Sequence, residues 1–398
     1  MKLNKLTQYF VLSAALVSAP SLAATNDALL DKLVEKGILT QGEAIEIASE
    51  IEQESQGISF SAKGKETLKL RFNGRMQFQY DHLAGELNGE STESTNHFYF
   101  RRVFLGVKAS LANGVYAETV LDFAGDEQPE IAFDKVAFGY KFDDAFDAQL
   151  GFQKVPFGFE ETSSSSSLQT IERSAANRFF ADDIDFSSRH AGIHAQGDLG
   201  AGFSYALALV NGAQGEGSKL LGSAEGSNDL AAFGRIQWAG IAWMFGVDAG
   251  SQSNNSVVGE DVVAYTAYAN YKYEGINLLG EFFSANMGDE EDVTGYALRA
   301  SYKFNKFEPV IRYSYIETDS FDIDTDELIR RAPTDTDNLS LTGASGIGKE
   351  MHSFYLGANY YYSPAVTFMA GYEVADVETD ADDEADVDGF RARVQVLW

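Results

Sequence analysis

The sequence predicts an all-β protein, a 16-stranded antiparallel transmembrane β-barrel with a short N-terminal helical leader. Three observations predict it. Beyond Lys65 the side chains alternate with period two, the alternating segments come to sixteen, and the connections between them are long and short by turns. Composition agrees: the 398 residues include 29 Phe, 19 Tyr and 37 Gly but only 6 Pro, and no stretch approaches the roughly 18 to 20 apolar residues of a spanning helix. The formal net charge of -30 argues against nucleic acid as a partner, and the absence of cysteine excludes a disulfide scaffold, thiol catalysis and Cys-ligated metal.

The first residues read as an address. Lys2 and Lys5 precede an apolar run from Tyr9 to Ala19, and Ser21-Leu22-Ala23 forms a small-x-small cleavage site, so residues 1–23 are expected to be a signal peptide. Residues 24–64 follow as a periplasmic helical leader. Leu29, Leu30, Leu33 and Val34 make one stripe, Gly37 stops it, and Thr40-Gln41-Gly42-Glu43 opens a second helix with Ile45, Ile47 and Ile51. Strands are expected near 67–82, 96–111, 113–124, 130–142, 146–156, 188–198, 201–211, 229–238, 240–251, 262–274, 275–286, 293–304, 307–318, 349–363, 365–377 and 388–398, within 65–398 as one barrel. Connections after odd strands are mostly long, notably 157–187, 212–228 and 319–348, and those after even strands are two or three residues. A soluble sandwich has no reason to sort its loops this way, whereas sixteen strands in a membrane leave an aqueous channel.

Aromatic residues fit the same frame. Tyr265, Tyr271, Tyr273, Tyr360 and Tyr362 fall toward strand ends on the lipid-facing parity, as interfacial girdles do. The segment from Phe390 to Trp398 is apolar at every second place and ends on an aromatic, which resembles the signal read by the outer-membrane barrel assembly machinery.

Strict alternation assigns Lys69, Arg71, Arg75, Arg102, Lys108, Arg235, Lys272, Arg299, Lys303, Arg312, Arg391 and Arg393 to the lumen wall, against Asp81, Glu118, Asp122, Asp248, Glu281, Glu308 and Glu373. Asp134 and Lys135 are not assignable to a face. The wall is therefore net basic, and the missing negative charge falls in the stretches 287–292, 319–348 and 376–388, read as solvated acidic loops. Two readings of the wall stay open: it lowers the barrier for anions, or its arginines pair with lumen acids and keep a wide channel wet. No calcium-loop pattern appears in the acidic run after Asp380, although loose divalent bridging to lipopolysaccharide needs none. His190 and His194 share a strand face but stand about 13 Å apart at strand rise, too far for one metal. The Ser163–Ser167 run has no paired histidine to activate it, so neither catalysis nor a cofactor is expected. An outer-membrane enzyme and a structural or adhesin barrel remain the rival classes.

Several segments resemble the phosphate-selective porin O and P family of bacterial outer membranes: Phe100-Arg101-Arg102-Val103-Phe104-Leu105-Gly106, Gly151 to Glu161 (GFQKVPFGFEE), and Ser163–Ser167 followed by Ile171-Glu172-Arg173. The resemblance implies a homotrimer of sixteen-stranded barrels passing small anions such as phosphate or polyphosphate, with the segment 157–187 folded inward as the constriction. It places Arg75, Arg101, Arg102 and Arg173 around the anion, with the hydroxyls of Ser164 and Ser165 beside them. Guanidinium forks and hydroxyls suit that role because they replace water around anionic oxygens with charge-assisted hydrogen bonds. One position departs. Phosphate-specific members place a lysine just before the serine stretch, where this chain has Glu161, so a general or weakly cation-preferring porin stays open as the alternative.

Overall fold

A period-two pattern leaves each strand with one face for its neighbours' side and one for water or lipid, and sixteen such strands bury every backbone edge only by closing on themselves. The computed structural model shows that closure. It describes residues 32–33, 36, 58–62, 68–124, 131–212, 229–288, 292–319, 321–323 and 345–398. The strands are β1 Ile58–Ala62, β2 Leu68–Leu87, β3 Glu90–Leu111, β4 Val115–Asp122, β5 Ala132–Lys141, β6 Asp147–Lys154, β7 Arg189–Gly200, β8 Phe203–Asn211 and β9 Leu230–Ala239. They continue as β10 Trp243–Gln252, β11 Val262–Tyr273, β12 Ile276–Met287, β13 Asp292–Tyr302, β14 Phe307–Thr318, β15 Gly348–Ser363, β16 Val366–Thr379 and β17 Glu384–Leu397.

Strands β2 to β17 are the sixteen expected from the sequence. Each is antiparallel to the next, and β17 returns to pair with β2 from Ala385↔Leu87 to Leu397↔Arg75. The short strand β1 is additional: it pairs with β2 from Ile58↔Phe72 to Ala62↔Leu68, just past the point where β17 stops. It occupies part of the range expected to be helical leader. The signal peptide and the rest of the leader lie outside the described residues, apart from a single helical turn in which the Lys36 N–H donates to the Lys32 carbonyl at 3.1 Å.

Two stretches expected as loops are strand. Strands β2 and β3 run on to a two-residue turn, Asn88-Gly89, whose φ values of 52° and 78° are the pair a right-twisted hairpin requires. Likewise 376–388 is not a loop: β16 continues to Thr379 and β17 begins at Glu384. The reason is that the alternation inverts above the membrane band. There Ala375, Val377, Ala385 and Val387 point inward and are buried, while Asp376, Glu378, Glu384 and Asp386 point outward. The two hairpin tips are tied together. Asn88 Nδ2 donates to Asp383 at 2.9 Å, and the Ser345 N–H donates to the same carboxylate at 2.6 Å; Ser345 and Asn88 hold the Asp383 carboxyl below its usual range. At the opposite rim the turns are short, although 142–146 and 303–306 exceed the expected two or three residues.

The outer face carries the apolar parity, including Phe78, Leu150, Leu207, Val247, Leu298 and Leu356, all exposed. Aromatic pairs bound it toward the short-turn rim, with Trp243 stacked on Phe245 (ring centroids 5.5 Å), Tyr302 on Phe304 (6.0 Å), and Tyr362 against Phe368 (6.5 Å). Trp398 extends β17 by a reciprocal pair of backbone hydrogen bonds with Gly74, 2.8 and 3.1 Å. A Cβ on Gly74 would meet the Trp398 indole at 2.3 Å, so only glycine leaves room for that ring at the closing seam. Gly74→Leu is expected to displace the indole, at a cost of about 1–3 kcal/mol for overpacking, and to lower the fraction of heat-modifiable folded protein on gel electrophoresis.

Candidate functional site

The lumen is occupied by the segment between β6 and β7. Two short helices, α1 Phe159–Thr162 and α2 Ala175–Arg178, and one π-helical turn, Phe179–Asp183, give it shape. Helices of one turn leave their N–H groups without internal partners, and here the wall supplies them. The Gly158 N–H donates to Asp248 at 2.9 Å, and the Phe159 and Glu160 N–H groups donate to Glu281. Gly158 has φ 79°, and a Cβ there would lie 2.9 Å from Asn177 Oδ1, which accounts for glycine at the entry to α1.

What presses the segment against the wall is apolar. Phe157, Phe179, Phe180 and Phe186 are fully buried: Phe180 stacks on the inward-facing Phe283 of the wall (5.3 Å), Phe186 meets Phe233 of the wall edge-on (5.1 Å), and Phe179 meets Phe321 of the connection after β14 (5.8 Å). The cluster extends over Val210, Ala231, Val262, Val293, Ile316, Met351 and Val377. Each buried phenylalanine contributes about 1.5–3 kcal/mol. The inward residues of β8 to β17 on the long-loop side are thus buried, as is Leu83 of β2, and the inward side chains that stay half-buried gather on the short-turn half of β2 and on β3 to β7.

Beneath the segment lie ion pairs. Glu172 takes Arg101 Nε at 3.0 Å and Arg393 Nη2 at 2.6 Å, with Arg102 Nη2 at 3.9 Å. Glu160 takes Arg299 Nη1 at 3.0 Å, and Glu161 sits between Lys154 Nζ at 2.5 Å and Arg173 Nε at 3.0 Å. Glu373 takes Arg312 at 2.5 Å and Arg391 at 3.0 Å. Arg235 closes on Asp248 at 2.6 Å and also donates to the Gly158 carbonyl at 3.1 Å.

The residues expected at the constriction therefore divide. Arg75 is half-buried, lies over the Phe104 ring at 4.4 Å, and donates to Ser164 Oγ at 3.3 Å. Ser165 enters through its carbonyl, which accepts from Gln77 Nε2 at 3.1 Å, rather than through its hydroxyl. Arg173 is 6 % exposed and spends its guanidinium on the carbonyls of Glu160 and Ser163 as well as on Glu161. Arg101 and Arg102 are buried under the segment. Among the wall residues, Arg299, Arg312, Arg391 and Arg393 are sealed in the same way, while Lys69, Arg71 and Lys108 are half-buried on β2 and β3, and Lys272 and Lys303 are exposed.

Sequence reasoning missed how two adjacent arginines both face inward. A β-bulge does it: Gln77 pairs with Arg102 while Phe78 pairs with Phe100, leaving Arg101 as the extra residue and switching the parity of β3. A second bulge, between Val120↔Lys135 and Leu121↔Phe133, makes Asp134 the extra residue of β5 and leaves both Asp134 and Lys135 half-buried. Asp134 then pairs with Arg189, and Lys135 with Glu118 at 3.0 Å. Arg75, Lys154 and Arg189 consequently stay half-buried on this side of the lumen against Asp122 and Asp134, with Ser164 opposite Arg75.

A relative from Aquifex aeolicus (strain VF5), an uncharacterized protein, is 26 % identical over 238 residues, 53 % of each chain, so this chain spans about half the length of that relative. Among solved structures, the outer membrane channel DcaP of Acinetobacter baumannii superposes with a TM-score of 0.60 at 11 % identity, covering 85 % of this chain and 99 % of that one. OmpT of Vibrio cholerae in its trimer form gives 0.53 at 12 % identity, covering 83 % and 99 %. At such identity the likeness is one of fold. Residues 70–219 match the family model for phosphate-selective porin O and P. The family read from the sequence, a porin family of the bacterial outer membrane, is thereby borne out over residues 70–219, which run from β2 to β8 and include the inward segment.

Proposed function

We propose that the protein is a porin passing small solutes by passive diffusion through a water-filled channel along β2 to β7, with a preference for anions. The observation that supports the preference is a sorting of charge by exposure. The carboxylates Glu160, Glu161, Glu172, Asp248, Glu281 and Glu373 are buried beneath or within the inward segment. The charges left half-buried on the open side are seven basic groups, Lys69, Arg71, Arg75, Lys108, Lys135, Lys154 and Arg189, against five acidic ones, Glu118, Asp122, Asp134, Asp147 and Asp182. Basic groups along a narrow path lower the barrier to anions. Phosphate or polyphosphate are candidate solutes because Arg75 and Ser164 together offer a guanidinium fork and a hydroxyl to one anionic group. A homotrimer is part of the same reading, supported by the family match and by the trimer form of the structurally similar OmpT. Phe390 and Trp398, both exposed on the outer face, are proposed as the signal for the assembly machinery.

Glu161 bears on this reading differently from its position in the sequence. Its carboxylate is bracketed by Lys154 and Arg173 and is 5 % exposed, so it holds the segment rather than repelling a passing anion. Glu161→Lys would set three cations together and leave Arg173 buried without a counter-charge, a loss of about 3–5 kcal/mol for a broken buried pair. Loosening of residues 155–188 is the expected outcome, seen as faster proteolysis there in detergent and a noisier, larger single-channel conductance. Arg75→Gln removes a charge from the water path itself. In a planar bilayer under a salt gradient it is expected to shift the reversal potential toward cations by a factor of about 2–5 in permeability ratio, whereas a wild type already cation-selective would count against anion preference.

A further inference from the structure

From the cluster behind the inward segment we infer that Glu172 is a specificity-determining residue, which sets the anion preference by masking Arg101, Arg102 and Arg393 rather than by touching the solute. The inference rests on the porin reading above and deepens it. Glu172 is 2 % exposed, and its carboxylate is shared by three guanidinium groups from β3 and β17, two of them at 3.0 and 2.6 Å and the third at 3.9 Å. Those three arginines stand together for separate reasons: the bulge at Arg101 turns two consecutive side chains of β3 inward, and Arg393 comes across the closing seam through the Gln79↔Arg393 pair.

The cluster lies within electrical reach of the water path. Arg102 donates to Gln77 at 2.9 Å, and Gln77 is two residues along β2 from Arg75 on the same face, about 7 Å at strand rise. That backbone separation is comparable to the Debye length of about 8 Å at physiological salt, and the intervening matter is protein rather than electrolyte, which screens less. One carboxylate on three guanidiniums leaves the cluster net positive. Its removal would add a further unit of positive potential at Arg75 without placing any new group in the channel.

A purely mechanical salt bridge and a masking charge differ in sign behaviour. If Glu172 only pins the segment, losing Glu172 or losing Arg393 releases the same latch and moves selectivity the same way. If it masks, the two losses move it oppositely. The experiment is the reversal potential of the full-length protein in planar bilayers under a tenfold potassium chloride gradient, for wild type, Glu172→Gln, Arg393→Gln and the double variant, with heat-modified gel mobility confirming the folded form of each. The expected result is an anion-to-cation permeability ratio raised about two- to five-fold by Glu172→Gln, lowered by a similar factor by Arg393→Gln, and restored in the double variant, the change one unit charge makes at this range. Shifts of the same sign, or unchanged ratios in a conducting wild type, overturn the inference. Should Glu172→Gln not fold, Arg393→Lys is compared with Arg393→Gln: the lysine keeps the charge and loses the fork, so masking gives wild-type selectivity for Arg393→Lys and a cationward shift for Arg393→Gln, whereas an equal shift in both overturns the inference. A wild type that carries no current would instead overturn the porin reading.

Discussion

Apolar packing of residues 155–188 against one half of the lumen wall is the interaction on which the remaining arrangement depends. A wide barrel filled with water gives an inward loop no reason to stay in one place. Here Phe157, Phe179, Phe180 and Phe186 find Phe233, Phe283 and a band of Val, Ile, Met and Ala that faces inward above mid-wall. That contact buries the inward face of β8 to β17 on the long-loop side, and under the proposed function it decides which lumen charges meet solute. It also fixes where the polar groups of the segment come to rest, because a buried N–H or carbonyl must be met by the wall at the register the phenylalanines impose.

The ion pairs beneath the segment do a different task from the phenylalanines. Burying a carboxylate and a guanidinium together returns little net stability once desolvation is counted, whereas losing one partner is expensive. Such pairs therefore select a register more than they strengthen it. Glu160 on Arg299, Glu161 between Lys154 and Arg173, and Glu172 on Arg101 and Arg393 reach three separate parts of the wall, and one slipped position would leave all three unmatched. Asp248 and Glu281 add backbone partners for α1, so acids placed on the lumen face by sequence turn out to hold the segment's chain as well as its charges.

Strand number, order and sidedness were legible in the sequence because lipid and water impose opposite polarity on successive residues. Alternation failed where the physical environment changed along a strand. Beyond the apolar band the outer face meets water and the inner face meets the phenylalanine core, so Ala375, Val377, Ala385 and Val387 with their acidic neighbours read as loop when they are strand. The Asn88-Gly89 pair was a local signal for a tight hairpin in a stretch otherwise expected to be open. Bulges are harder to see, since one extra residue leaves no compositional trace. What did mark them was two adjacent ionic residues in a strand, Arg101-Arg102 and Asp134-Lys135, where strict alternation would send one of each pair into lipid. The role of Glu161 was not legible at all, because it depends on Lys154 and Arg173 reaching it from β6 and from within the segment.

A net charge of -30 is compatible with the proposed basic water path because the two live at different heights of the same strands. On β14, Arg312 faces the lumen while Glu317, five residues on, faces outward at the long-loop rim, about 17 Å away at strand rise. That distance is roughly twice the Debye length at physiological salt, and the rim is bathed in electrolyte. Across the sheet Glu317 pairs in register with Glu350, Glu350 with Glu378, and Glu378 with Glu384, a row of like charges that costs stability where strands are opposed. The row is tolerable only where water and counterions screen it, which keeps it at the exposed strand ends and off the apolar band. The same screening removes it from the potential along the path. Composition therefore describes the surface the protein turns to its surroundings, whereas the proposed selectivity rests on the few half-buried groups beside Arg75.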